Sequence, residues 1–140
     1  MTNWLGVASA EHVRRGVALG IAQIGHGKRV GLARMKPADT LIYYSPRERL
    51  GASSQLQHFT AIGSIADDEI WQADEGAFQP FRRRVEYSFA ARSVHLEELR
   101  GALDFTNTAN WGYQLRRGLI TLNEHDASVL RSAMLTPRHG

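Results

Sequence analysis

Tyr43-Tyr44-Ser45-Pro46 brings two aromatic rings, a hydroxyl and a chain-stiffening proline into consecutive positions. At the end of a strand, a Tyr ring beside a Ser hydroxyl can stack a nucleobase and hydrogen-bond its edge. The same residues suit a core tyrosine whose hydroxyl rests on a carbonyl. Successive strand side chains face opposite ways, so one tyrosine packs inward and the other faces a groove; the pattern leaves open which. A second constellation is Phe81-Arg82-Arg83-Arg84-Val85-Glu86-Tyr87. Period two puts Arg83 on one face with Phe81, Val85 and Tyr87, while Arg82, Arg84 and Glu86 take the other. The arginine triplet is therefore not one basic patch. Arg82 and Arg84 read as solvated residues partly neutralised by Glu86. Arg83, among apolar neighbours, requires a carboxylate, a backbone carbonyl or a ligand. The third constellation is Asn110-Trp111-Gly112-Tyr113, followed by Arg116-Arg117-Gly118. Trp111 reads as core or lid. The two arginines precede a turn glycine, as a plain solvated turn or as a place where one of them meets a phosphate.

Catalytic and metal chemistry finds no comparable pattern. Gly20 and Gly25 have the spacing of a phosphate-binding loop, but His26 stands where that loop needs lysine, and Gly27 cannot hold magnesium. The six histidines form no HExxH pair. Asp67-Asp68 and Glu97-Glu98 are adjacent in sequence, so their side chains diverge and make no catalytic dyad. Glu124 and Asp126 suit the first turn of a helix, whose dipole favours negative charge. The sequence lacks a nucleophile elbow. Without cysteine there is no disulfide framework, thiolate nucleophile or Cys-ligated zinc. Neither a metal nor any other cofactor is expected.

The elements that position these residues are short and irregularly spaced. Residues 4–8 suit a strand. Ser9 caps a helix carrying Val13 and Val17, which should fail by Gly20. Residues 25–31 form a turn-rich basic loop. A turn at 36–39 leads into a strand over 40–44, which Ser45-Pro46 ends. A polar loop spans 47–57. Residues 59–65 form a strand with Gly63 as a bulge, and Asp67-Asp68-Glu69 a solvated turn. Further strands or broken β segments are expected over 81–87 and 111–122, with a short helix over 96–103. Asn123 opens a last helix with Ala127, Leu130 and Met134 at helical spacing, and 136–140 is a frayed tail. No regular crossover helices separate the strands. This order predicts an α+β fold around a mostly antiparallel sheet or small barrel.

At 140 residues, 43% hydrophobic and 22% charged, the chain suits one domain with a true core. The net charge of +3 permits a polyanionic partner without demanding one. Fifteen of the 17 cations are arginine, the better fork for phosphates and base edges. No stretch is long and apolar enough to cross a membrane, so no membrane partner is expected. The N-terminus lacks the pattern of a secretory leader, and with the missing cysteines this points to a cytoplasmic protein.

Taken in order, Trp4-Leu5-Gly6-Val7-Ala8-Ser9 with His12-Val13, Gly27-Lys28, Arg34-Met35-Lys36-Pro37 and Ile42-Tyr43-Tyr44-Ser45-Pro46 resemble EVE-domain proteins. Phe59-Thr60-Ala61-Ile62-Gly63, Pro80-Phe81-Arg82-Arg83 and Asn110-Trp111-Gly112 continue the resemblance, which runs from about Asn3 to about Met134. Ala38 stands where the family often has glycine, and the segment from Ile21 to His26 lacks the aromatic that related YTH domains carry there. The resemblance implies a PUA-like, twisted, mostly antiparallel β-barrel of about five to six strands with flanking short helices. It also implies recognition of a modified base, such as modified cytosine in DNA or RNA, by a pocket that takes a flipped or unpaired base. Carried onto this chain, the pocket would be lined by Ser9, Gln23, His26, Tyr44, Ser45 and Pro46. Arg83, Arg116 and Arg117 would meet phosphate or edge the pocket. The resulting expectation is a non-enzymatic nucleic-acid reader. Its rivals are a small hydrolase of modified nucleosides, for which His26 and Lys28 are the nearby candidates, and a protein-interaction module.

Overall fold

Local signals set the first elements. The computed structural model describes residues 1–136, so the tail assigned to 136–140 lies outside the described residues but for Thr136. Strand β1 (Asn3–Val7) ends where extended Ser9 caps helix α1 (Ala10–Leu19), its Oγ accepting the His12 amide at 3.3 Å. Gly20 closes α1 at φ 67°, a left-handed conformation that glycine adopts without steric cost. The chain continues through β2 (Ile21–Ala22), α2 (Arg29–Arg34), β3 (Thr40–Ser45) and β4 (His58–Gln72). It then forms β5 (Phe81–Tyr87), β6 (Val94–His95), α3 (Leu96–Leu99), α4 (Trp111–Gln114), β7 (Leu119–Leu122) and α5 (Glu124–Leu135), with single 3-10 turns at Phe105–Asn107 and Leu115–Arg117.

The α+β class and the mostly antiparallel pairing hold, but the expected closed barrel of five to six strands does not. The described residues form one seven-stranded open sheet in the order β2-β5-β4-β3-β1-β7, with β6 added to β4. Only β1 and β3 run parallel. The edge strands β2 and β7 share no ladder, because β2 is two residues long. Side chains fill that seam instead. A Cβ on Gly31 of α2 would lie 3.0 Å from Ile24 and 3.5 Å from Leu119, so α2 is wedged between the two edges.

Three elements differ from the sequence expectation. Part of the basic loop over 25–31 is helix α2. The supposed turn at Asp67-Asp68-Glu69 is a bulge inside β4, between the pairs Ile65–Val85 and Ile70–Arg83. The segment read as broken β from 111 is α4 and a 3-10 turn, with only β7 extended.

Two apolar clusters sandwich the sheet. Trp4, Leu41, Tyr43, Ile65 and Val85 pack beneath Val13 of α1 and Leu32 of α2. Leu5, Ile42, Tyr44, Phe59 and Ile120 pack against Leu130 and Met134 of α5. Asp126 extends beyond its dipole role: buried, it accepts the amides of Asp104 at 2.6 Å and Phe105 at 3.0 Å, pinning the chain before α4. Among the described residues, no helix is long and apolar enough to cross a membrane.

Asp39 ties the chain's start to β3. It accepts the Thr2 amide, the Trp4 indole N–H and the Lys36 amide, each at 2.9 Å. The preceding Ala38 holds φ 72°, which explains why glycine suits this position. Burial pushes the Asp39 carboxyl up, but the Trp4 indole and the two amides pull it further, to a net position below the ordinary value. A carboxyl lowered by folding stabilises the fold above its unfolded pKa, and that stability is lost as pH falls through the folded value. We therefore expect the urea midpoint to drop steeply below about pH 4, and to drop less over that interval in Asp39→Asn. Parallel pH profiles would show that these bonds do not favour the carboxylate.

Candidate nucleic-acid interface

One end of the sheet gathers three segments distant in sequence, residues 7–11, 44–48 and 116–118. The amide of Val7, at the end of β1, donates to the Gly118 carbonyl at 2.9 Å, and that of Ala8 to Tyr44 at 3.2 Å. The first amides of α1 go the same way, Ala10 to Arg47 at 3.0 Å and Glu11 to Glu48 at 2.9 Å. Helix-start amides have no intrahelical partner, and here the loop after β3 supplies the acceptors. Ser9, Pro46 and the Arg116-Arg117-Gly118 turn are thereby held together at this sheet end. The Pro46 carbonyl also accepts Leu56 at 2.7 Å and Gln57 at 3.2 Å, closing the loop that begins there.

Gln23 and His26 lie on the neighbouring α1–α2 connection. The His12 ring, Nε2 donating, bonds the Gln23 carbonyl at 3.3 Å, and the Gln23 side chain accepts from Arg82 Nε at 2.6 Å. His12, Gln23 and Arg82, but not His26, line a crevice of about 20 Å³, room for one water but not for a base. His26 is exposed at φ 60° in the Gly25–Gly27 turn. His12, not singled out from sequence, thus connects α1 to Gln23; its place in the first turn after the Ser9 cap was the available signal.

The tyrosine phase resolves in an unexpected way, because both rings are buried. Tyr43 lies beneath α1 and α2, with its ring against Gly6. Tyr44, 3% exposed, faces the second cluster and packs on Phe59 with ring centroids 5.2 Å apart. Burial pushes its hydroxyl up to about 12. Ser45 is fully buried, its hydroxyl 2.8 Å from that of Thr60. Tyr44 and Ser45 are therefore part of the packed interior and present no open face for stacking a base.

Arg83 is buried, at 2% exposure. Nη1 donates to the carbonyls of Leu32 at 2.8 Å and Met35 at 2.6 Å. Nε and Nη2 both reach the Asp67 carbonyl, at 3.1 and 2.8 Å, and Nη2 also meets Asp68 at 3.4 Å. These bonds occupy its donors, leaving none for a phosphate. The sequence placed Arg83 on the right face, and the partner is backbone carbonyl. Arg82 pairs with Glu75 at 3.1 Å and Arg84 with Asp67 at 3.2 Å and Glu69 at 3.4 Å, so Glu86 is not their partner.

Other cations differ from these. Among the described residues, Lys28, Arg29, Arg116 and Arg117 make no ion pair. Arg116 instead lies over the Tyr113 ring at 5.6 Å.

The chain matches the EVE domain over residues 2–133. It is 50% identical to a UPF0310 protein of Renibacterium salmoninarum over 131 residues, 94% of either chain. It is 44% identical to one of Mesorhizobium japonicum over 139 residues, 96% of this chain and 93% of that one. Among solved structures, the fold resembles human THYN1 in complex with DNA containing 5-methylcytosine, with a TM-score of 0.56 at 11% identity over 94% of this chain and 96% of that one. It also resembles the YTH domain of Zygosaccharomyces rouxii MRB1 in complex with N6-methyladenosine RNA, with a TM-score of 0.60 at 15% identity over 98% and 90% of the two chains. The ordered motifs, the sheet that they build and the match across nearly the whole chain agree, and this protein belongs to the EVE-domain family.

Proposed function

We propose that the chain is a non-enzymatic reader of a modified base, modified cytosine or a relative, in DNA or RNA. The observation that carries this reading is the sheet end where the helix cap Ser9 and Pro46 meet the turn of Arg116 and Arg117, which make no ion pair among the described residues, through the Val7–Gly118 and Ala8–Tyr44 bonds. The family and the two structural neighbours holding methylated nucleic acids support it. In this reading Ser9, Gln23, His26 and Pro46 line the pocket, while Tyr44 and Ser45 belong to the packed interior. Arg116 and Arg117 meet the backbone.

Tryptophan fluorescence against oligonucleotides differing only in cytosine modification, at two salt concentrations, tests this. Base reading predicts a preference for the modified strand of about tenfold or more, kept at the higher salt. Each phosphate contact adds salt sensitivity without discrimination. Binding that ignores the modification and vanishes with salt would refute base reading.

A further inference from the structure

We propose that Tyr113, braced by Arg116, is a stacking platform for the nucleotide next to the recognised base of a single-stranded nucleic acid. The inference rests on the base-reader reading and extends it from the pocket to the strand that enters it. Helix α4 turns Trp111 towards the second apolar cluster, as does Leu115 in the following turn. Tyr113, between them, is thereby directed outward and is 68% exposed. Its backbone is nonetheless held. The Tyr113 amide donates to the Asn110 carbonyl at 3.0 Å, and Gly118 closes the next turn on Leu115 at 3.2 Å. The Arg116 guanidinium lies 5.6 Å from the ring centroid. A cation on one face restrains the ring and leaves the other face for a planar partner.

The platform borders the sheet end because the same turn ends at Gly118, whose carbonyl holds Val7. Arg117 belongs to that turn. Gly31 of α2 packs near Leu119 of β7, the residue after Gly118, so the short helix that begins at Lys28 and Arg29 lies on the β7 side of the sheet. An exposed aromatic amid unpaired cations suits a base and its phosphates, and every base has a π-face, so this subsite is tolerant of sequence.

The test compares the full chain with Tyr113→Ala and Tyr113→Trp. The probes are pentanucleotides of DNA and RNA with a central cytosine, methylated at carbon 5 or not, and the mononucleotide 5-methyl-dCMP. Tyr113→Ala is expected to weaken binding of the preferred strand roughly five- to hundredfold, methylated or not. Its affinity for the mononucleotide and its melting temperature stay unchanged, and Tyr113→Trp retains strand binding. Lys28→Gln with Arg29→Gln is expected to lower the salt slope by about 0.7 for each phosphate that these side chains neutralise in the parent. Equal strand affinity of Tyr113→Ala and the parent overturns the platform. So does an equal loss for strand and mononucleotide, which would put Tyr113 in the pocket itself. A parent that binds strands through Tyr113 yet ignores methylation overturns base reading and keeps the platform. A parent that binds no strand overturns both.

Discussion

Arg83→Met is expected to destabilise the fold by about 3–5 kcal/mol, a fall in melting temperature of roughly 10 °C or more for a domain of this size. The size of the effect follows from what the guanidinium holds. Its donors end on the carbonyls of Leu32 and Met35, at the end of α2, and of Asp67, in the β4 bulge. Methionine matches the stem of the side chain but leaves those carbonyls facing an apolar interior without a donor. Arg83→Lys restores the charge without the planar fork, and one ammonium cannot span all three carbonyls, so a smaller loss is expected. Thermal melts of the two variants, set beside oligonucleotide titrations, separate a structural from a binding role. A strut lowers melting temperature in both variants and leaves the affinity of the remaining folded protein unchanged. A normal melt with weakened binding in Arg83→Lys would instead return Arg83 to the phosphate contacts.

Arg83 thus serves the fold: it fixes α2 against β4 and β5.

Much of this was legible from local chemistry. Ser9, Gly20 and Asn123 mark helix ends by their own hydrogen-bonding and backbone preferences, which need no distant partner. Period two placed Arg83 on the buried face of β5 for the same reason. What stayed hidden depends on tertiary partners. Helix α2 contains Gly31 and buries only Leu32, too little for an amphipathic stripe. Strand β4 carries Asp67-Asp68-Glu69, which reads as a turn because the arginines that compensate those charges come from β5. Barrel closure failed on a strand of two residues, a length no pattern announces. Among the residues of the proposed interface, Ser9 reads as a helix cap, Pro46 as the end of a strand, and Arg116 and Arg117 as turn residues. The orientation of Tyr43 and Tyr44 was not, since alternation gives opposite faces but cannot say that helices cover both.

That double covering sets the last expectation. Tyr44→Ala removes a ring packed on Phe59 in the second apolar cluster and is expected to cost about 3–5 kcal/mol, so impaired binding by that variant would report on folding. Tyr44→Phe keeps the ring and removes only the hydroxyl, which has no hydrogen-bond partner among the described residues. Its stability is therefore expected to stay within about 1 kcal/mol of the parent at neutral pH. The two diverge in alkali. Burial raises the Tyr44 hydroxyl to about 12, so the folded state holds its proton more tightly than the unfolded chain does. This contribution is complete below the unfolded value near 10 and is lost as pH rises towards the folded value. Urea melts between neutral pH and about pH 11 should show stability falling in the parent above pH 10 and falling less in Tyr44→Phe. A part of the fall remains, because burial also raises the hydroxyls of Tyr43 and Tyr87. As a buried core residue, Tyr44 should tolerate phenylalanine with strand affinity unchanged. A tenfold loss of affinity in Tyr44→Phe with an unaltered melt at neutral pH would show instead that the hydroxyl turns into the pocket and reads the base edge.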